Sequence, residues 1–154
     1  MEREKTIEVL NALVTINNDR IEGYETARKE TEELDLKALF SEFLQTSNEC
    51  KAELEAEVLK MGGKPSESTK NTGKFFRVWM DVKAALTGKD RKAILSSCEF
   101  GEDHALEEYK KAMEKAEHLS ADQMVMVNTQ YTRIKKDHDT IREMRDALKV
   151  ADKL

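Results

Sequence analysis

The stretch from Met124 to Leu148, MVMVNTQYTRIKKDHDTIREMRDAL, decides the fold: Met124, Val127, Tyr131, Ile134, His138, Ile141, Arg145 and Leu148 recur three and four residues apart. That spacing stacks side chains on one face of an α-helix, and a sustained seven-residue repeat holds the face against neighbouring helices. The stretch therefore predicts a long bundle helix. Just ahead of it, Ser120 and Gln123 fit a capping box, in which each side chain satisfies a backbone N–H left over at the helix start. Two positions on the inward stripe, His138 and Arg145, are nevertheless polar.

The same pattern extends toward the N-terminus. Ile7, Leu10, Leu13, Val14, Asn17, Ile21 and Tyr24 predict a helix from about Glu4 to Glu33. After a break at Leu34-Asp35, with Asp35 as the expected cap, Leu36, Leu39, Phe40, Phe43, Ser47, Cys50, Leu54, Val58 and Met61 predict a second. Gly62-Gly63-Lys64-Pro65 stops it, because glycine accepts the left-handed conformation past the last turn and proline cannot continue a helix. The segment from Ser66 to Gly73 reads as a polar loop. A shorter helix then carries Phe75, Phe76, Trp79, Val82, Ala85 and Leu86. Asp90 caps a further helix bearing Ile94, Leu95, Cys98, Glu102, Ala105, Tyr109, Ala112 and Ala116, which fades at Glu117-His118-Leu119.

Four long amphipathic helices, with a shorter one between the second and third of them, predict an all-α four-helix bundle formed by one domain over residues 1–154. The length agrees, since about 150 residues bury roughly 68–70% of the surface the unfolded chain exposes. A single proline, six glycines and a charged fraction of 37% leave few turn signals for a sheet. The net charge of −5 comes from interleaved signs, so no basic stripe faces a phosphate backbone and nucleic acid is not an expected partner. Met1-Glu2-Arg3-Glu4-Lys5 is charged, and no apolar run suits a signal peptide or a membrane span. A cytoplasmic protein with no membrane partner is expected. Its two cysteines do not make a disulfide scaffold and read as small core residues.

The chemistry sits where the apolar stripes are interrupted. Cys98-Glu99-Phe100-Gly101-Glu102-Asp103-His104 and Lys136-Asp137-His138-Asp139 place acids and imidazoles near the middles of two helices, level with Asn17, Cys50 and Glu53. Burying such groups costs several kcal/mol, roughly 2–7 even for a neutral polar group, unless they are paired or bound to a metal. Glu53, Glu99, Glu102 and His138 are the candidate metal ligands, with iron, manganese or zinc as the candidate ions. Bundles with carboxylate-bridged metal pairs use two Glu-x-x-His motifs. Here Lys135 stands three residues before His138 and the second helix has no histidine, so a site would be a reduced one. The competing reading is a metal-free hydrogen-bond network in which Glu102 and Arg145 pair and fix helix register. Glu22 and Glu25 read as solvated, and Phe75, Phe76 and Trp79 as aromatics holding the short helix to the bundle or lining a groove for a ligand or partner helix.

Beyond these patterns, Glu22-Gly23-Tyr24, Ala52-Glu53-Leu54 with Glu57-Val58, Trp79-Met80-Asp81, Ala84-Ala85-Leu86-Thr87-Gly88, Cys98-Glu99 with Gly101-Glu102-Asp103, and His138-Asp139 with Ile141-Arg142 together resemble an uncharacterised bacterial family, a domain of unknown function with a ferritin-like four-helix bundle. The resemblance spans nearly the whole chain. It implies a ferritin-like fold and a bacterial origin and carries no activity or substrate. Two functional expectations follow: a non-catalytic bundle, with homo-oligomerisation and a stress-associated role as its open attributes, or a ferritin-like metal-binding or oxidoreductase-like protein.

Overall fold

A computed structural model describes residues 2–67, 73–88 and 90–152; the side chains of residues 73–79 and 149–152 lie outside that description, among them Phe75, Phe76 and Trp79. Five α-helices follow in order: α1 (Glu2–Glu30), α2 (Leu34–Lys60), α3 (Gly73–Gly88), α4 (Arg91–Glu114) and α5 (Ala121–Asp152). A short 3₁₀ turn, Ala116–His118, joins the last two. Among the described residues there is no strand, and no helix is long and apolar enough to cross a membrane.

The helix ends follow local chemistry. Asp90 accepts a hydrogen bond from the Ala93 N–H at 3.2 Å and so caps α4. Ser120 N–H donates to Gln123 Oε1 at 2.9 Å while Gln123 N–H donates to Ser120 Oγ at 3.1 Å, a reciprocal capping box at the start of α5. At the end of α2, Gly62 adopts φ +81°, and the N–H groups of Gly62 and Gly63 donate to Leu59 O and Val58 O. This 5→2, 6→1 pair is a Schellman stop that satisfies carbonyls the helix leaves open. Asp35 lies inside the first turn of α2, and Glu33 is the N-cap residue without a side-chain cap. The Asp35 carboxylate binds the Leu36 N–H and the Arg91 guanidinium, tying the α1–α2 turn to the start of α4.

Gly63 is tight for another reason. A Cβ there would stand 2.9 Å from two Ile7 carbons and 3.1 Å from Val58 Cγ1, because the chain leaving α2 runs close over α1. Gly63→Ala is therefore expected to destabilise the protein by about 1–3 kcal/mol through overpacking, measured by urea denaturation. From Gly63 the chain climbs α1. Asn11 brackets it with bonds to Lys64 O and Ser66 N–H, Thr15 meets Ser66 Oγ at 2.9 Å, and Asn18 donates to Ser66 O at 3.2 Å.

The helix directions can be read from cross-helix pairs. Thr6 bonds the His118 carbonyl, Asn17 meets Tyr109 and Arg20 meets Glu102, so α1 and α4 run antiparallel. Glu57–Gln123, Glu53–Gln130 and Glu49–Arg133 make α2 and α5 antiparallel. The most extensive packing joins α1 to α2 and α4 to α5, while α3 lies on α4 and α1. With α1 up, α2 and α4 both run down and α5 returns up, and the chain between α2 and α4 crosses the length of the bundle.

Two apolar clusters fill the interior. One gathers Val9, Leu10, Leu13, Val14, Ile16, Leu54, Val58, Ala105, Tyr109, Val127 and Ile134, and the other Tyr24, Leu36, Phe40, Phe43, Val82, Leu86, Ile94, Leu95, Cys98 and Ile141. Along every bundle helix, charged or hydroxyl side chains fall where one cluster gives way to the other: Arg20, Ser47, Glu102 and Asp137.

Candidate functional site

Arg20 is 1% exposed and holds the centre of that layer. Its Nη1 donates to Ser47 Oγ on α2 at 2.8 Å, and its Nη2 donates to Glu102 Oε1 on α4 at 2.7 Å and to Asp137 Oδ2 on α5 at 3.2 Å. One guanidinium thus touches each of the other three bundle helices, as its rigid planar fork of donors allows. Tyr24, one turn along α1, donates a short hydrogen bond to the same Glu102 oxygen. Burial opposes the charge on Arg20, but Glu102, Tyr24 and Asp137 outweigh it and hold the guanidinium ionised. Burial and the Glu102 charge push the Tyr24 hydroxyl well above its ordinary range, keeping it a donor.

Asp137 is the strained member. Desolvation raises its carboxyl, and the Glu102 charge adds to this, while Arg20 and a hydrogen bond from Thr46 work against them; the result is a pKa of about 6. One cation faces two carboxyls, so a proton on Asp137 brings the three-group cluster to neutrality.

A second polar chain lies beside the first. Asn17 donates to Tyr109 Oη at 2.9 Å, Tyr109 donates to Gln130 Oε1 at 2.7 Å, and Gln130 Nε2 donates to Glu53 Oε1 at 2.9 Å and to Cys50 O at 3.3 Å. It runs α1–α4–α5–α2, so both sets of contacts touch all four bundle helices. Tyr109→Phe leaves Gln130 Oε1 without its buried donor and is expected to cost about 1–3 kcal/mol in chemical denaturation, with no change in helix content.

The four sequence-derived ligand candidates occupy different surroundings. Glu102 is engaged by Arg20 and Tyr24, and Glu53, half exposed, by Gln130 with Arg133 at 3.9 Å. Glu99 is gripped by Arg145, which also binds Asp146 at 3.0 Å. The expected Glu102–Arg145 pair is thus replaced by two others, Glu102–Arg20 and Glu99–Arg145. His138 is largely buried and faces Asp103 through Nε2 at 2.7 Å and Asp139 through Nδ1 at 3.0 Å. Only Glu99 and His138 of the four fall within one group of close donor atoms, completed by Asp103. The thiols are poor nucleophile candidates: burial pushes Cys50 up to about 11 and Cys98 higher still. Glu22 and Glu25 are exposed, as their place off the stripe predicts.

The mid-bundle position at which ferritin-like proteins hold a carboxylate-bridged metal pair needs open, anionic oxygen donors. Here the guanidinium of Arg20 lies among the carboxyls of that level, bonding one oxygen each of Glu102 and Asp137, and its fixed positive charge opposes a pair of cations beside it, so the residues present do not fit a metal pair. Arg20 is the residue sequence reasoning missed, and Asp137, within the acidic stretch it marked, is not among its ligand candidates. Arg20 stands three residues after Asn17 and four before Tyr24, on the same stripe, which was the available signal.

The fold and this layer define a class: an all-α helical bundle cross-linked inside by buried ionic and amide contacts. Over residues 5–115, from the start of α1 through the end of α4, the sequence matches the family model described as Domain of unknown function (DUF2383), and the chain belongs to that family. No curated protein matches the sequence.

Proposed function

We propose that the chain is a ferritin-like bundle whose mid-bundle layer has been given over to an arginine-centred ion network, and that it works as a non-catalytic helical module. The up-down-down-up helix directions and the long crossover between α2 and α4 support the ferritin-like part of this reading. A single observation carries the rest: Arg20, buried, is spent on Glu102, Asp137 and Ser47, one partner from each of the other bundle helices. An enzyme site in this layer would require an unsatisfied acid, base or nucleophile facing a substrate cavity. Here Glu102 and Asp137 each bond the Arg20 guanidinium through one carboxylate oxygen, and the nearby thiols are held protonated.

Aerobic oxidation of added Fe²⁺ tests the reading. It predicts that the protein oxidises iron no faster than buffer alone and that Glu102→Gln changes nothing in that rate. A rate well above buffer that disappears in Glu102→Gln would overturn it, since Glu102 would then be acting as a metal ligand.

A further inference from the structure

We propose that Glu99, Asp103 and His138 form a site for one divalent first-row transition ion on the seam between α4 and α5, outside the arginine-centred layer. Each residue offers a ligand atom, and these atoms lie within 4.8 Å of one another. Among the described residues no other group of three His, Cys, Asp or Glu side chains brings its donors so close. Glu99 and Asp103 are four apart on α4 and so share one face, while His138 approaches from α5.

The orientation of the ring points to a ligand. Both nitrogens of His138 face carboxylate oxygens, Nδ1 facing Asp139 at 3.0 Å and Nε2 facing Asp103 at 2.7 Å. A neutral imidazole has only one N–H, so one of these contacts needs either a second proton or a cation. With Asp139 accepting the Nδ1–H bond, Nε2 turns its lone pair toward Asp103 and Glu99. This is how histidines that bind metals are held: a carboxylate on the far nitrogen fixes the tautomer and raises ligand basicity.

The donor set selects the ion. One imidazole nitrogen with two carboxylate oxygens suits zinc or a neighbouring first-row ion better than calcium or magnesium, which prefer all-oxygen shells. Bonds of about 2.0–2.2 Å in a tetrahedral site place ligand atoms roughly 3.4 Å apart. Asp103 and His138 would open slightly from 2.7 Å, and the widest separation would close. Asp103, half exposed, has room to adjust. Arg145 competes for Glu99 and has Asp146 as its alternative partner. Water completes the coordination.

Zn²⁺ titrated into the full chain tests the site, followed by calorimetry and by imidazole ¹⁵N resonances, which report the nitrogen that binds. The expected result is one Zn²⁺ per chain with a shift at His138 Nε2. Asp103→Asn and His138→Gln should each weaken binding at least about tenfold, as losses at or behind a metal ligand do. Arg145→Gln should tighten it, because it frees Glu99 and removes a positive charge. His104→Gln and His118→Gln, at the other two histidines, should leave it unchanged. Asp103→Asn alters a half-exposed side chain and keeps the fold intact for comparison. Zn²⁺ binding that survives both Asp103→Asn and His138→Gln, or titration without any shift at His138 Nε2, would overturn the proposal.

Discussion

Arg20→Met lowers the stability of the fold by about 3–5 kcal/mol, the usual cost of removing one member of a buried ion cluster and leaving charge behind. For a domain of this length that corresponds to roughly 10–15 °C in Tm. Methionine keeps the length and much of the volume of the side chain, so the loss comes chiefly from charge and hydrogen bonding. Without the guanidinium, Glu102 keeps only Tyr24 among the partners described above, and Asp137 faces Glu102 with no cation between them. Arg20→Lys should fall between wild type and Arg20→Met. A point ammonium can satisfy the carboxyls but lacks the planar fork that reaches Ser47 on one side and the acids on the other. Urea denaturation followed by circular dichroism measures both variants.

The second large effect is a dependence on pH that belongs to Asp137. Its carboxyl titrates at about 6 in the folded protein against an ordinary value of 3.8. The folded state therefore binds a proton that the unfolded state has already released between these values, and stability falls as pH rises through that window. The contribution is fully present below about 3.8 and is lost above about 6, with a span of up to about 3 kcal/mol. Burial raises the Asp137 carboxyl, Glu102 on α4 adds to the rise, and Arg20 on α1 and Thr46 on α2 oppose it. Surface acids such as Asp35, Glu49 and Asp139, lowered by hydrogen bonds from Arg91, Gln45 with Arg133, and His138, push the opposite way. The informative quantity is accordingly the difference between wild type and Asp137→Asn. Asp137→Asn should gain on wild type by about 2–3 kcal/mol between pH 4 and pH 7.5; parallel stability profiles would show that Asp137 does not carry the effect.

Much of the fold is legible in the sequence because helix spacing and stop chemistry are local. The stripe through Met124, Val127, Tyr131 and Ile134, the Ser120–Gln123 box, the Asp90 cap and the Gly62 stop all act within a few residues, and the structure has each of them. Asp35 shows the limit of that reasoning. Its spacing suits a cap, but a long-range partner, Arg91, claims its carboxylate and the helix begins earlier.

The polar layer was legible as a level in the bundle and not as a set of bonds. Asn17, Cys50, Glu102 and His138 interrupt apolar stripes and are all buried. Which acid meets which base depends on helix neighbours and their register, which no local pattern contains. That is why Glu102 pairs with Arg20 and Arg145 turns to Glu99. Arg20 is hard to read because Asn17, Ile21 and Tyr24 already complete the stripe at three- and four-residue spacing, and arginine is mostly a surface residue, rarely buried unless paired. Its spacing from Asn17 and Tyr24 nonetheless places it inward. Asp103 is half exposed and lies off the buried stripe, so only the three-dimensional approach of His138 distinguishes it from other surface acids.

The central claim is that the middle of this bundle is held by a guanidinium shared among helices. A thermodynamic cycle between Arg20 and Glu102 tests it most directly, comparing urea unfolding of wild type, Arg20→Met, Glu102→Gln and the double variant. The account predicts strong coupling, on the order of 2–3 kcal/mol, with the double variant far more stable than the summed single losses imply. Losses that add to within about 0.5 kcal/mol would contradict it, because Arg20 and Glu102 would then not act as one unit.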